Sequence, residues 1–237
     1  YMKPHLRQST FEDYEIICRV HLKPALGKCR LRKLWTADIQ KLYREKLEGG
    51  LSARRVQLIH IVLRAALAQA VKEGLLPANP AAATKPPKPE HKEAAYLSPE
   101  QLEKFLKAAS QSELYPAYLT MVGTGLRCGE TLGLRWEDVD LEAGTLRVTR
   151  SLVCTKQGLR FESPKTKKGA RLIPLPQEVV QALKQHRVRQ NEVRLALGAV
   201  WQDHGLVFPG PFGKPRNPRA FRSHFKRLLK KAGLPDM

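Results

Sequence analysis

A chain of 237 residues, 42% of them hydrophobic, is long enough for one large domain or for two ordinary ones with buried cores. Its 42 lysines and arginines outnumber the 22 acidic residues and give a net charge of +20. No apolar run approaches the roughly 18 residues that cross a bilayer, and no long basic amphipathic helix stands apart from the folded pattern. A membrane protein is therefore not expected.

The positive charge is shared between the two halves of the chain. Residues 1–95 carry 18 basic and 9 acidic residues, and residues 96–237 carry 24 and 13. An excess on both halves suggests that both bind one polyanion, for which nucleic acid is the obvious candidate. The alternative is a basic protein whose charge is merely solvated.

The four cysteines include no Cys-x-x-Cys pair and form no set with histidines of the kind that binds zinc. They are Cys18, Cys29, Cys128 and Cys154. A zinc site and a disulfide framework are therefore not expected. We interpret the four as reduced thiols of a cytoplasmic protein.

The first section of the chain is predicted to be a small helical bundle, because apolar residues recur there at helical spacing. Ser9-Thr10 is expected to cap a first helix that closes by Gly27. Thr36 is expected to cap a second helix, and Gly49-Gly50 to end it. A third and longer helix runs from about residue 52 to residue 72.

Residues 77–95 hold five prolines and show no apolar periodicity. This composition predicts an extended linker between two domains. We place the linker at residues 85–95, between a first domain of residues 1–84 and a second of residues 96–237. Lys85 and Lys88 are candidates for contacts to phosphate, and a solvated linker is the alternative.

The second domain opens with Ser98-Pro99-Glu100-Gln101, which is typical of a capping box with proline in the first helical turn. Another helix, from about residue 114, reaches a glycine break at Gly123–Gly125. A short helix then starts near Arg127 and ends before Trp136.

The hydrophobic pattern changes period after Trp136. Residues 145–153, 159–162 and 171–175 alternate like half-buried strands, which predicts a three-stranded antiparallel meander. A long helix follows from Gln177 to about Leu197, and Asn217-Pro218 opens the last one. The predicted fold class is mainly α with a small antiparallel β-meander (α+β).

Arg127 is the candidate anchor for an oxyanion. It follows the helix end that the glycine break at Gly123–Gly125 predicts. Its guanidinium is permanently charged and can donate two parallel hydrogen bonds, which suits a phosphodiester. Glu130, one helical turn later, is placed to orient that guanidinium. The alternative is a local ion pair on the helix, which contributes only a few tenths of a kcal/mol.

A lysine-rich turn follows at Pro164-Lys-Thr-Lys-Lys-Gly-Ala-Arg-Leu-Ile-Pro. A lysine on a β-turn can deliver a proton to a leaving oxygen if its ammonium lies in a desolvated, cationic site. The alternative is a solvated turn with no chemical role.

The last helix carries seven arginines and lysines between Arg216 and Lys231, opposite an apolar face that includes Phe221 and Leu228. A charged helix face is often merely solvated, but this one repeats the bias of the whole chain. The candidate DNA-binding residues are Arg54, Arg55, Lys85, Lys88, Lys167, Lys168, Arg171, Arg216, Arg219 and Arg222.

These motifs carry a family resemblance. Gly123-Thr-Gly-Leu-Arg-Cys-Gly-Glu-Thr-Leu-Gly-Leu-Arg-Trp-Glu-Asp-Val-Asp resembles the first conserved box of the tyrosine recombinases, the phage integrase family. Residues 164–175 resemble that family's lysine-bearing β-hairpin. Residues 207–209 and 221–233 resemble the segment that precedes its second conserved box. Residues 14–27 and 52–71 resemble its core-binding domain. The resemblance covers nearly the whole chain and implies a SAM-like helical bundle followed by an integrase-type catalytic domain.

The resemblance implies a mechanism without metal or any other cofactor. A tyrosine attacks a DNA phosphodiester and leaves a 3′-phosphotyrosyl bond and a free 5′-hydroxyl, which later attacks a partner strand. Arg127 would neutralise the non-bridging oxygens of the transition state, and Glu130 would position Arg127. Lys165 would be the general acid toward the 5′-oxygen, with Lys167 as second choice because hairpin lengths vary.

The sequence departs from the family pattern after Gly233-Leu-Pro-Asp, where a His-x-x-Arg-His box is expected. All six tyrosines precede Arg127, so none occupies the place of the nucleophile. We therefore expect the middle of an integrase, with a catalytic domain that lacks its C-terminal part. Such a chain would bind double-stranded DNA as a monomer without cleaving it. The full-length protein would work as a tetramer on two DNA duplexes.

Two other functions stay open. A naturally short, non-catalytic DNA-binding regulator or excision factor of the same fold would show a stop codon directly after residue 237. Topoisomerase-like relaxation shares the chemistry, but the compact size of the chain argues against it. The base sequence of the attachment site depends on groove contacts that the amino-acid sequence does not reveal.

Overall fold

The computed structural model describes residues 6–90, 95–163 and 169–237. The chain divides into two compact units, Tyr1–Ala94 and Ala95–Met237, each with its own hydrophobic core. The predicted class, mainly α with small antiparallel sheets, is confirmed. Among the helices of the described ranges, none is long and apolar enough to cross a bilayer.

The first unit is a helical bundle. Its elements are α1 (Gln8–Ile17), a π-helical segment (Cys18–Leu22), α2 (Lys23–Leu26), α3 (Thr36–Glu48) and α4 (Ala53–Lys72). Ile17, Ile39, Val56 and Ile59 are fully buried at its centre, because each lies on the apolar face of its own helix.

The start of α1 differs from the expectation. Arg7 is the N-cap and makes no capping hydrogen bond through its side chain, so the predicted cap at Ser9-Thr10 is wrong. Both residues lie inside α1. The π-helical segment and α2 follow α1 directly and continue the helical chain to Leu26.

The start of α3 also needs a correction. Thr36 is the first helical residue rather than the cap, and Asp38 accepts a hydrogen bond from the backbone N–H of Trp35 at 2.9 Å. The Thr36 hydroxyl instead donates to the carbonyl oxygen of Pro80 at 3.1 Å. Ala81 and Thr84 are buried, so the first part of the proline-rich stretch packs onto the bundle.

The second unit contains most of the predicted helices. They are α5 (Pro99–Ala109), α6 (Tyr115–Thr124), α7 (Cys128–Gly133), α8 (Gln177–Leu197) and α9 (Pro218–Lys231). Ser98 and Gln101 form the predicted capping box, with reciprocal hydrogen bonds of 3.3 and 3.0 Å. Asn217 accepts from the backbone N–H of Arg219 at 2.8 Å and so caps α9.

The strands of the second unit form two antiparallel sheets rather than one meander. They are β1 (Val139–Asp140), β2 (Thr145–Val148), β3 (Ser151–Thr155), β4 (Gly158–Glu162) and β5 (Arg171–Pro174). Their orders are β1-β2-β5 and β3-β4. Leu146 pairs with Ile173 in the first sheet, and Leu152 pairs with Phe161 in the second.

The break between β2 and β3 coincides with two hydrogen bonds to Asp138. The Thr149 hydroxyl donates to one carboxylate oxygen of Asp138 at 3.0 Å, and Arg150 donates to the other at 2.7 Å. These bonds tie the two residues to Asp138 and end the pairing of β2. The predicted single strand over residues 145–153 is therefore wrong.

The core of the second unit joins helices to the first sheet. Phe105, Leu132, Leu146, Leu183 and Leu229, which lie on α5, α7, β2, α8 and α9, are at most 2% exposed. The buried Leu132 fixes the short helix α7 to this core, and α7 is the element that carries the candidate site.

Candidate active site

Arg127 is presented at the junction of α6 and α7. Gly125 ends α6 in the left-handed conformation, with φ +65°, which a residue with a Cβ adopts only at a cost. Leu126 is buried and anchors the turn. Arg127 then has extended backbone angles as the N-cap of α7, and its side chain is 80% exposed.

The short helix α7 lies directly on β3. A Cβ added to Gly129 would come within 2.5 Å of the Ser151 hydroxyl oxygen and 2.8 Å of the Leu152 carbonyl oxygen. A Cβ on Gly133 would meet the Leu152 nitrogen at 3.1 Å. The two glycines of the motif therefore set how closely α7 approaches the sheet, and with it the position of Arg127.

Glu130 receives hydrogen bonds from two arginines. Arg127 donates to it through its backbone N–H at 3.0 Å and through Nη1 at 3.1 Å. Arg171, on β5, donates through Nη2 at 2.9 Å and through Nη1 at 3.3 Å. The predicted pairing of Glu130 with Arg127 is therefore present, and a second guanidinium completes it.

The electrostatics of Glu130 follow from these bonds. Burial raises the pKa of its carboxyl group, but the hydrogen bonds from Arg171 and from the Arg127 backbone and side chain outweigh burial, so the pKa lies below its usual value. The same contact raises the pKa of Arg171. Glu130 is consequently a fixed anion at neutral pH.

The basic helix α9 packs against α7. Burial raises the pKa of Cys128, and the positive charge of Arg222 opposes that rise. Arg222 therefore lies within electrostatic range of the residue that follows Arg127. Arg219 and Arg222 are both exposed, so α9 presents both cations to solvent.

The remaining predicted contacts differ in their surroundings. Arg216 donates to the Pro209 carbonyl oxygen at 3.0 Å and to Glu113 at 2.9 Å. In the first unit, Arg54 is exposed and donates to Gln57 at 2.8 Å, and Arg55 is half-buried. Lys85 and Lys88 are exposed. Lys165, Lys167 and Lys168 lie outside the described residues, and DNA contact by any of these residues stays a prediction.

Two family descriptions match the chain. "Phage integrase family" matches residues 95–237, and "Phage integrase, N-terminal SAM-like domain" matches residues 1–47. The first match alone covers more than half of the chain. The chain belongs to the phage integrase family.

Individual integrases extend this likeness over nearly the full chain. The "Tyrosine recombinase XerC-like" protein of Caldanaerobacter subterraneus subsp. tengcongensis is 31% identical over 97% of the chain and 63% of its own length. An integrase of Saccharopolyspora erythraea is 25% identical over 97% of the chain and 65% of its own length. The chain thus spans less than two thirds of these curated relatives.

Solved integrase structures share the fold. The Tn1549 transposon integrase in complex with a circular intermediate DNA matches with a TM-score of 0.82 and 24% identity, over 98% of this chain and 76% of that one. The lambda integrase tetramer bound to a Holliday junction matches with a TM-score of 0.70 and 22% identity, over 98% and 62%.

The part of this candidate site that sequence reasoning missed is the pairing of Arg171 with Glu130. Arg171 was expected to contact DNA because it belongs to a basic turn. Glu130 and Arg171 are 41 positions apart, on a helix and on a strand, and no spacing rule relates them. The only signal was that Glu130 is an acidic residue beside an arginine in a strongly basic chain.

Proposed function

We propose that this chain is a DNA-binding part of a site-specific tyrosine recombinase. The full protein would cut and rejoin DNA through a 3′-phosphotyrosyl intermediate. The observation that carries the proposal is the guanidinium of Arg127, which is held on one side by Glu130 while 80% of its side chain faces solvent. A donor fixed in this way suits a phosphodiester oxygen.

The proposed roles follow from this arrangement. Arg127 would bind the non-bridging oxygens of the scissile phosphate and stabilise the charge that develops on them. Glu130 would hold Arg127 in place. Lys165 would protonate the leaving 5′-oxygen, with Lys167 as the second choice.

The DNA grip would come from both units. We propose a core-binding domain of residues 1–84, a linker of residues 85–95 and a catalytic domain of residues 96–237. The proposed phosphate contacts are Arg54, Arg55, Lys85, Lys88, Lys167, Lys168, Arg216, Arg219 and Arg222. The charge of +20 supports a polyanion as the ligand of such a surface.

We propose that none of the chain's own tyrosines is the nucleophile. Tyr43 and Tyr118 are 2% and 3% exposed, and their hydroxyl groups pair with His60 and His224 at 2.8 Å. Burial raises the pKa of Tyr118, which disfavours the phenolate that attacks phosphorus. The chain by itself would then bind DNA without cleaving it.

Assembly and location follow from the same proposal. The lambda integrase tetramer on a Holliday junction supports a tetramer of the full protein on two DNA duplexes. We propose that the 237-residue chain is a monomer and that the protein acts in the cytoplasm, where its DNA substrate is found.

The experiment uses a suicide DNA substrate that carries the attachment site of the intact recombinase. The intact protein should become covalently linked to the 3′ end of the nicked strand, and an intact Arg127→Ala variant should form this adduct about 10² to 10³ times more slowly. The 237-residue chain should shift the same DNA in a gel and form no adduct.

Each outcome decides one part of the proposal. An intact protein that binds but forms no adduct would favour a non-catalytic DNA-binding regulator of the same fold. An adduct formed by the 237-residue chain would show that one of its own tyrosines is the nucleophile. Failure of the chain to bind DNA at low salt would overturn the proposed grip.

A further inference from the structure

The carboxylate of Glu130 lies between two guanidiniums of unequal exposure. The side chain of Glu130 is 11% exposed, that of Arg171 is 31% exposed and that of Arg127 is 80% exposed. Arg171 engages both carboxylate oxygens. Arg127 reaches only one of them with its side chain.

This geometry bears on the charge that Arg127 offers to a phosphate. An arginine and a glutamate three residues apart form a neutral pair, which attracts an anion weakly because the carboxylate repels it at close range. A second guanidinium on the buried side of Glu130 leaves the three groups with a net charge of +1. The positive charge is then concentrated at the exposed end, on Arg127.

We propose that Arg171 is a positioning residue, which holds Glu130 by both oxygens and offsets its charge so that Arg127 stays available to the scissile phosphate. The inference rests on the proposed function, since it requires a phosphodiester at Arg127. It gives Arg171 a role that acts through Glu130 and Arg127 rather than through direct contact with DNA.

The hydrogen bonds of Arg171 favour this role over a phosphate contact. Its guanidinium makes two hydrogen bonds to Glu130 and a third, at 3.5 Å, to the carbonyl oxygen of Gly169. Three of its five N–H donors are thus directed at protein oxygens. The guanidinium of Arg127 makes one bond to Glu130 and is far more exposed.

The experiment is a charge-rescue cycle in the intact recombinase, with the rate of suicide-substrate cleavage as its readout. Arg171→Met should slow cleavage by about 10- to 100-fold, the range found when the hydrogen-bond partner of a metal-ligating side chain is lost. Glu130→Gln in the Arg171→Met background should restore at least half of the lost rate on a logarithmic scale, because no carboxylate is left uncompensated. Arg171→Lys, which keeps the charge, should lie between the wild type and Arg171→Met.

Binding to a 40-base-pair duplex without the attachment site is the control. Arg171→Met should change this affinity by less than about 3-fold, because the general grip uses other cations. A larger loss, with cleavage reduced only in proportion, would show that Arg171 contacts DNA and would overturn the inference.

The cycle also distinguishes positioning from folding. If Arg171 only supports the fold, the double variant should be as slow as Arg171→Met or slower, and that result would reject the inference. If the methionine variant unfolds, Arg171→Gln, which removes the charge but keeps a polar side chain, repeats the test and should also slow cleavage. A wild-type protein that cleaves nothing would instead reject the proposed function.

Discussion

Gly129 lies so close to Leu152 that a methyl group on its Cα would sit 2.8 Å from the Leu152 carbonyl oxygen. The same methyl group would come within 2.5 Å of the Ser151 hydroxyl oxygen. Backbone atoms of a paired strand cannot move aside as a flexible side chain can. Any residue larger than glycine must therefore lift α7 from β3, and Arg127 at the start of α7 would move with it.

We expect Gly129→Ala to lower the free energy of unfolding of the second unit by about 1–3 kcal/mol, the usual cost of overpacking. Gly133→Ala is the matched comparison. Its Cβ would meet the Leu152 nitrogen at 3.1 Å, and the higher helix propensity of alanine offsets part of the cost.

Urea denaturation followed by tryptophan fluorescence measures both variants. A Trp35→Phe background leaves only the signals of Trp136 and Trp201, which belong to the second unit, and Trp35 is exposed enough for that change to be mild. A Gly129→Ala variant as stable as the unsubstituted protein would contradict the close packing of Gly129 on β3.

Features that depend on a few neighbouring residues were predictable from the sequence. The capping box of Ser98 and Gln101, the Asn217 cap of α9 and the bounds of α8 follow from local hydrogen bonding and helix periodicity. The pairing of Arg127 with Glu130 belongs to the same class, since one helical turn separates the two residues.

Features that depend on distant residues were not predictable in this way. The alternation of residues 145–153 fits one strand, and only the contact with Asp138 explains why the chain leaves the first sheet at Thr149 and Arg150. The pairing of Arg171 with Glu130 likewise joins β5 to α7. Hydrophobic period reports which face of a strand is buried, but not which strand or side chain it meets.

The contribution of the contact between Arg150 and Asp138 to the stability of the second unit can be tested by substitution. Asp138 is 7% exposed at its side chain and Arg150 is 20% exposed. We expect Arg150→Met to cost about 2–3 kcal/mol, because it leaves a nearly buried carboxylate without its charged partner. Arg147→Met, an exposed position on the neighbouring strand, should change stability by less than about 0.5 kcal/mol.

The same urea denaturation measures this pair of variants. Equal stability of Arg150→Met and Arg147→Met would show that the bond to Asp138 contributes nothing to the second unit. Asp138→Asn should lose less stability than Arg150→Met, because the amide leaves no buried charge and its oxygen still accepts a hydrogen bond.

His186 links α8 to the segment before α9. Its ring packs between those of Trp136 and Phe208, with centroid distances of 6.2 and 5.3 Å. Its Nε2 donates to the carbonyl oxygen of Val207 at 2.6 Å. Burial lowers the pKa of His186, and the bond to Val207 opposes this shift without cancelling it.

The lowered pKa of His186 predicts how stability depends on pH. The unfolded chain binds a proton at a pKa of about 6.5, and the folded protein binds it only at lower pH. The free energy of unfolding should therefore fall as pH drops from about 7.5 through 6.5 and below.

His186→Gln, which keeps a hydrogen-bond donor, should make this fall smaller. Urea denaturation at pH 7.5, 6.5 and 5.5 measures the difference. A residual slope is expected because burial also lowers the pKa of His224 in the same unit. A variant whose stability falls in parallel with the wild type would show that His186 does not contribute.

The salt dependence of DNA binding tests the exposed cations of α9. Log K should fall with log salt concentration by about 0.9 for each phosphate that the protein neutralises. Arg222→Ala should reduce the magnitude of this slope by about 0.9, the contribution of one phosphate, and should weaken binding several-fold. Arg194→Ala is the matched control, because Arg194 already pairs with Asp203 at 3.0 Å. Fluorescence anisotropy with a 40-base-pair duplex between 50 and 200 mM salt measures both variants. If Arg194→Ala changes the slope as much as Arg222→Ala does, DNA binding depends on the net charge of the protein, and the arginines of α9 make no specific contribution to it.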